Sequence, residues 1–225
     1  MARILAVVWT LTITGVSSAH FPFLVPDGPD KGKAVFSDNL KPDPAVPIDR
    51  IAKTRLVVIA DGKAADLPWT LDKAANCFTF EVPGKGTRIV VGTTDYGVLQ
   101  RGDSKPFLLH YYPKAIFGDL PAEGATAGDR VPLELVPTVA GGKLRFKALA
   151  GGKPYAKADV TVLIPGEAKS KDVATDDSGL TPEFDKPGLY GVQVKKFEAM
   201  AGERDGKKYD EVRHYATLVV NFGNK

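Results

Sequence analysis

The sequence is poor in cysteine, in histidine and in long apolar runs, and each shortage excludes something. Cys77 is the only cysteine in 225 residues, so no internal disulfide can form and any fold must rest on its apolar cores. Beyond residue 19 no stretch is long and apolar enough to span a bilayer as a helix. The only histidines are His20, His110 and His214, so a metal centre has few imidazoles to draw on. Enzyme motifs are missing as well. There is no G-x-S-x-G, no H-E-x-x-H, no Walker loop and no G-x-G-x-x-G after a strand. Paired carboxylates such as Asp176-Asp177 fall in a turn. These absences point away from an enzyme.

Charge is nearly balanced. Without residues 1–19 the chain carries 29 basic and 27 acidic residues, and the lysines are dispersed. That argues against nucleic acid as a partner and describes a solvated surface.

Residues 1–19 read as a signal peptide. Arg3 supplies the positive start, Ile4 to Val16 an apolar run of 13 residues, and Ser17 and Ala19 the small residues a signal peptidase requires. Cleavage after Ala19 makes His20 the first residue of the mature protein. The expected location is the periplasm or the exterior, with nothing embedded in the membrane after processing.

The rest of the chain is rich in punctuation, with 23 glycines and 17 prolines between short alternating runs. NCFTFEV (76–82) sets Phe78, Phe80 and Val82 on one face and Cys77, Thr79 and Glu81 on a more polar one. PGKGT then suggests a hairpin back through RIVVGTT (88–94). RLVVIA (55–60) followed by DG is another strand and turn, and DPAVPIDRIA has room for one helical turn. A composition shift over 118–130 divides the chain into a β-rich domain, 20–120, and a C-terminal β-sandwich, 128–223. The second half shows strands over 131–139, 143–150, 158–165, 172–175, 189–199 and 211–222, with turn residues between them. The predicted fold is all-β, with two β-sandwich-like domains.

Two resemblances follow from particular strings. GGKPYAKADVTV (151–162) and TDDSGLTPEFDKPGLYGVQV (175–194) resemble the transthyretin-like, or carboxypeptidase-regulatory-like, sandwich, which implies an immunoglobulin/transthyretin-like C-terminal domain. Asp176 and Gly179 suit its tight turn, and Tyr190 its buried ring with a partnered hydroxyl. More widely, AHFPFLVP, TTDYGVLQRGD (93–103), LLHYYPKAIFG (108–118) and RHYATLVV (213–220) resemble an exported family of unknown function associated with nickel-uptake and cobalt-transport components. That resemblance implies metal handling outside the cytoplasm, with a transition metal ion, Ni(II), Co(II) or Cu(II), as ligand and a membrane metal transporter as partner.

The candidate metal ligands are His20, His110 and His214. A terminal amine and the imidazole of the same residue offer two nitrogens, and a second histidine would complete a planar set suited to Cu(II) or Ni(II). The apolar FPFLVP after His20 is expected to dock that end by burial. His110 is the first candidate for the second imidazole. His214, on the more apolar face of its run, reads more readily as a hydrogen-bonded core histidine. Asp95 and Tyr96 could line the same site. Two other readings stay open: a surface or periplasmic sandwich that serves as an interaction module without metal, and a copper-dependent oxidative enzyme.

Overall fold

The computed structural model describes residues 20–120 and 125–223, so the expected signal peptide lies outside the described residues. The first half forms β1 (Phe21–Pro26), β2 (Lys31–Ser37), β3 (Arg55–Ala60), β4 (Lys63–Asp66), β5 (Thr70–Asp72), β6 (Cys77–Glu81), β7 (Arg88–Leu99) and β8 (Phe107–Phe117). The second forms β9 (Leu133–Ala140), β10 (Lys143–Ala150), β11 (Lys153–Pro154), β12 (Asp159–Leu163), β13 (Lys171–Ala174), β14 (Gly188–Glu198), β15 (Gly202–Arg204), β16 (Lys207–Tyr209) and β17 (Glu211–Phe222). The helical turn expected near residue 48 is a short 3-10 turn, Ile48–Ile51, held by two buried isoleucines.

The fold is all-β and built of packed sheets. Its frame is an eight-stranded sheet in the order β13-β12-β14-β17-β8-β7-β3-β4. That sheet is continuous across both halves of the chain, because β17 pairs with β8 in parallel while the other pairs are antiparallel. One face carries Ile89, Val91, Tyr112, Leu218 and Val192, and it packs on the three-stranded sheet β11-β10-β9 through Leu133, Leu135 and Phe146. The other face carries Val90, Leu109 and Tyr111, and it meets the four-stranded sheet β1-β2-β6-β5 through Leu24, Phe36, Phe78 and Phe80.

β1 lies along the central sheet as the edge of that smaller sheet. The Thr217 hydroxyl donates to Pro22 O at 2.6 Å. Residues on its two faces enter different cores, Leu24 one and Phe23 the other. FPFLVP is apolar at consecutive positions because both faces of this strand are covered.

The hairpin expected between 76–82 and 88–94 does not form. β6 pairs with β2 and β5, whereas β7 pairs with β3 and β8. Phe78, Phe80 and Val90 then face one another across the same core, and the crossing is tied by Arg88. Its guanidinium donates to Asp30 at 2.5 Å and to the carbonyls of Gly84, at 2.9 Å, and Pro29, at 3.0 Å. Cys77 also departs from expectation. It is fully buried beside Phe23, Val35 and Val219, and burial pushes its thiol up, away from reactivity. The outer face of its strand is covered, and period-2 alternation alone does not show that.

A buried ion pair joins the layers. Lys114 on β8 and Glu134 on β9 meet at 2.5 Å with side chains 2% and 5% exposed. The turn motifs of the second half behave as read. Asp176 accepts N–H bonds from Ser178 and Leu180, both at 2.9 Å. Gly179 has φ of 77° and leaves no room for a Cβ beside Ala148 O. Tyr190 is fully buried, and its hydroxyl donates to Lys186 O at 2.7 Å.

Candidate functional site

Register across four strands builds one polar row on the central sheet. Lys196 of β14 lies opposite His214 of β17, His214 opposite His110 of β8, and His110 opposite Asp95 of β7. Directly opposed residues share a face. This is the face whose core holds Tyr112, Ala216 and Val194, so the row sits at the rim of that core, half-buried.

The two imidazoles stack with ring centroids 5.6 Å apart and planes 16° from parallel. Burial lowers both histidines below the usual imidazole value, more than Asp95 raises His110 or Glu198 raises His214. Both shifts favour the neutral imidazole, the form that binds a metal. His214 Nδ1 shares a 2.9 Å hydrogen bond with the Tyr112 hydroxyl, which burial keeps protonated by raising its pKa. His214 Nε2 faces Glu198 Oε2 at 3.8 Å, and His110 Nδ1 faces Asp95 Oδ1 at 4.0 Å. Neither separation is a hydrogen bond. Glu198 is also bound by Lys196, the first cause of its lowered pKa.

Asp95 is the least satisfied member. Its Oδ2 takes the guanidinium of Arg204 from the β15–β16 hairpin. Its Oδ1 is buried and has no hydrogen-bond partner, a condition that costs free energy unless something fills it. A bulge in β7 between Asp95 and Gly97 turns Tyr96 to the opposite face, where it packs against Tyr111 and Phe36.

His20 is elsewhere. β1 docks it as expected, with its Nε2 2.8 Å from Asp43 Oδ2 and its carbonyl 3.5 Å from the Tyr111 hydroxyl. The bond from His20 is the main cause of the lowered Asp43 pKa. Tyr111 alternates with His110 on β8, so His20 and the histidine pair occupy opposite faces of the central sheet. The structure thus brings His110 and His214 together and does not bring either to His20. The small cavity beside His20 is also lined by Arg101 and Arg213, whose charges oppose a cation there. Among the described residues, no three His, Cys, Asp or Glu side chains converge on a single metal position.

Glu198, Lys196 and Arg204 were not legible as site residues, because no local motif marks them. They are placed by strand register and by a hairpin folded over β7.

The fold defines the class, an all-β sandwich protein. No family model matches the sequence, and no curated protein does. Among solved structures, the chain is similar to a two-domain fibronectin type-III segment from chicken tenascin, at 11% identity and a TM-score of 0.24, covering 87% of this chain and 97% of that one. It is also similar to native alpha-2-macroglobulin from Escherichia coli spanning domains MG0-NIE-MG1, at 12% identity and a TM-score of 0.25, with 86% and 69% covered. A third is the D0-D1 domain of Intimin, at 14% identity and a TM-score of 0.19, with 85% and 89% covered. These likenesses are too distant to carry any argument about function.

Proposed function

We propose that this chain is an exported, non-catalytic protein that binds a divalent transition metal, Ni(II), Co(II) or Cu(II), outside the cytoplasm. The residues that would hold it are His110 and His214 with the flanking carboxylates Asp95 and Glu198. The observation that carries the reading is the paired gap in the row. Two imidazoles each face a carboxylate oxygen, at 4.0 and 3.8 Å. That is too far for a hydrogen bond, so neither carboxylate satisfies the imidazole nitrogen it faces. The buried Asp95 Oδ1 without a partner fits the same account. A nitrogen and carboxylate donor set suits these metals.

Binding would draw the rings and the more exposed Glu198 toward one ion, and water or a small co-ligand would supply the remaining positions. The metal's role is that of cargo for uptake or homeostasis, passed to a membrane transporter. His20, fixed at the start of β1, would supply an amine and an imidazole but has no second imidazole on its face of the sheet.

The test is metal titration of the secreted protein, with its first residue determined by intact mass. The expected result is a mature chain beginning at His20 that takes up one Ni(II) or Cu(II). His110→Ala and His214→Ala would lose that uptake, and His20→Ala would retain it. No uptake, or uptake unaffected by the first two changes, would sink the reading. A second reading is an interaction module without metal. Phe197 and Met200, 48% and 49% exposed near the β15–β16 hairpin, favour it.

A further inference from the structure

A groove of about 670 Å³ opens on the other side of Asp95. Its floor is β7 at the bulge, with Thr93 and Tyr96. One wall is the β15–β16 hairpin with Arg204 and Asp205, and the other carries Arg50, Lys53 and Arg55 beside Asp49. The arrangement of these cations follows from local structure. Ile48 and Ile51 bury the inner side of the 3-10 turn, so Arg50 stays outside. Thr54 is buried, and its hydroxyl bonds to Ile51 O at 2.7 Å and to the Thr94 hydroxyl at 2.6 Å. That pins the segment to β7 and turns its two neighbours, Lys53 and Arg55, to solvent. Arg55 lies opposite Thr93 in register, two residues before Asp95.

The charge pattern is unbalanced where it matters. Arg204 is neutralised by Asp95. Among the described residues Arg50, Lys53 and Arg55 form no ion pair and no side-chain hydrogen bond, whereas Arg204 pairs with both Asp95 and Asp205. Against these three cations their wall carries one carboxylate, Asp49, while Asp95 and Asp205 lie on Arg204, so the concavity keeps a small net positive charge that favours anions. Two of them are guanidinium forks, which match the planar, two-oxygen geometry of a carboxylate.

We propose that this groove is a binding site for a small polycarboxylate. One carboxylate would seat on Arg50 and another on Arg55 with Lys53, with the ligand's body over β7 at the bulge. The spread of the cations along a turn and a strand start suits a ligand with separated carboxylates better than a single compact oxyanion. The site adjoins the histidine row through Asp95, yet it needs no metal.

The experiment titrates citrate into metal-free, chelator-treated mature protein by calorimetry, with inorganic phosphate as a second probe. Saturable citrate binding is expected, weakened about tenfold or more by Arg50→Ala/Arg55→Ala and weakened by half-molar salt. His110→Ala should leave it intact, which separates this site from the metal reading. These arginines are on the surface, and an unchanged circular dichroism spectrum verifies that the variant folds. Absence of saturable citrate binding, equal binding by the double variant, or phosphate binding as tight as citrate would overturn the proposal.

Discussion

The most exacting test of the architecture is Glu134→Ala. Glu134 accepts from Lys114 Nζ at 2.5 Å, from the Ala127 N–H at 2.6 Å and from the Thr126 hydroxyl at 2.9 Å. Lys114 spans the layers, because its amine also donates to Ala125 O at 2.7 Å. Burial pulls the Lys114 amine below its ordinary value, and Glu134 opposes that shift. Truncating Glu134 leaves a buried cation without its counter-charge, which costs about 3–5 kcal/mol. For a chain of this size, at roughly 2–4 °C per kcal/mol, the melting temperature should fall by about 6–20 °C. Replacing both partners, Lys114→Met with Glu134→Leu, removes the uncompensated charge. Most of the loss should then be recovered, with about 1–2 kcal/mol remaining for the orphaned Ala127 N–H. Urea denaturation of the two single variants and the double variant closes the cycle. If the double variant loses as much as the singles combined, or if Glu134→Ala costs under about 1 kcal/mol, the pair does not join the layers in the way described.

Three further outcomes are expected. Trp69 stacks on Phe78 with centroids 4.2 Å apart and reports on the first half; its fluorescence and the far-ultraviolet dichroism should give coincident unfolding curves, because one sheet runs through both halves. Separate transitions would show that the β8–β17 pairing does not couple them. Asp176 is held below the ordinary carboxylate value, first by the Leu180 N–H and then by the Ser178 N–H and Arg145. The unfolded chain therefore binds the proton more readily, so its contribution is present above the ordinary value and is lost as pH falls through the lowered one; Asp176→Asn should flatten the acid limb of a stability–pH curve. Tyr190→Phe should cost about 0.5–1.5 kcal/mol for the lost bond to Lys186 O, and an unchanged denaturation midpoint would contradict that bond.

Much of the strand inventory was legible. Alternation marked β10, β12 and β14, and the Asp-Gly after β3 marked its turn, where Asp61 and Gly62 take φ of 49° and 72°. The apolar character of FPFLVP signalled its burial, and Tyr190 read correctly as a buried ring with a partnered hydroxyl. These features are local: period, turn chemistry and apolar content act over a few residues, and any fold of this chain must satisfy them.

Sheet membership was not local. β6 and β7 look like a hairpin in sequence yet belong to different sheets, because the carbonyls around Arg88 and the core shared by Phe80 and Val90 stabilise a crossing instead. The same holds for the site. His110 and His214 stand side by side only because β8 and β17 pair in parallel, and Asp95 joins them because the register of β7 on β8 sets it opposite His110. Sequence alone determined which residues could form strands and turns and that FPFLVP would be covered. Tertiary structure decided which strands are neighbours, and so which histidines meet, because pairing between distant strands is selected by the burial of the whole core and leaves no periodic trace in either strand.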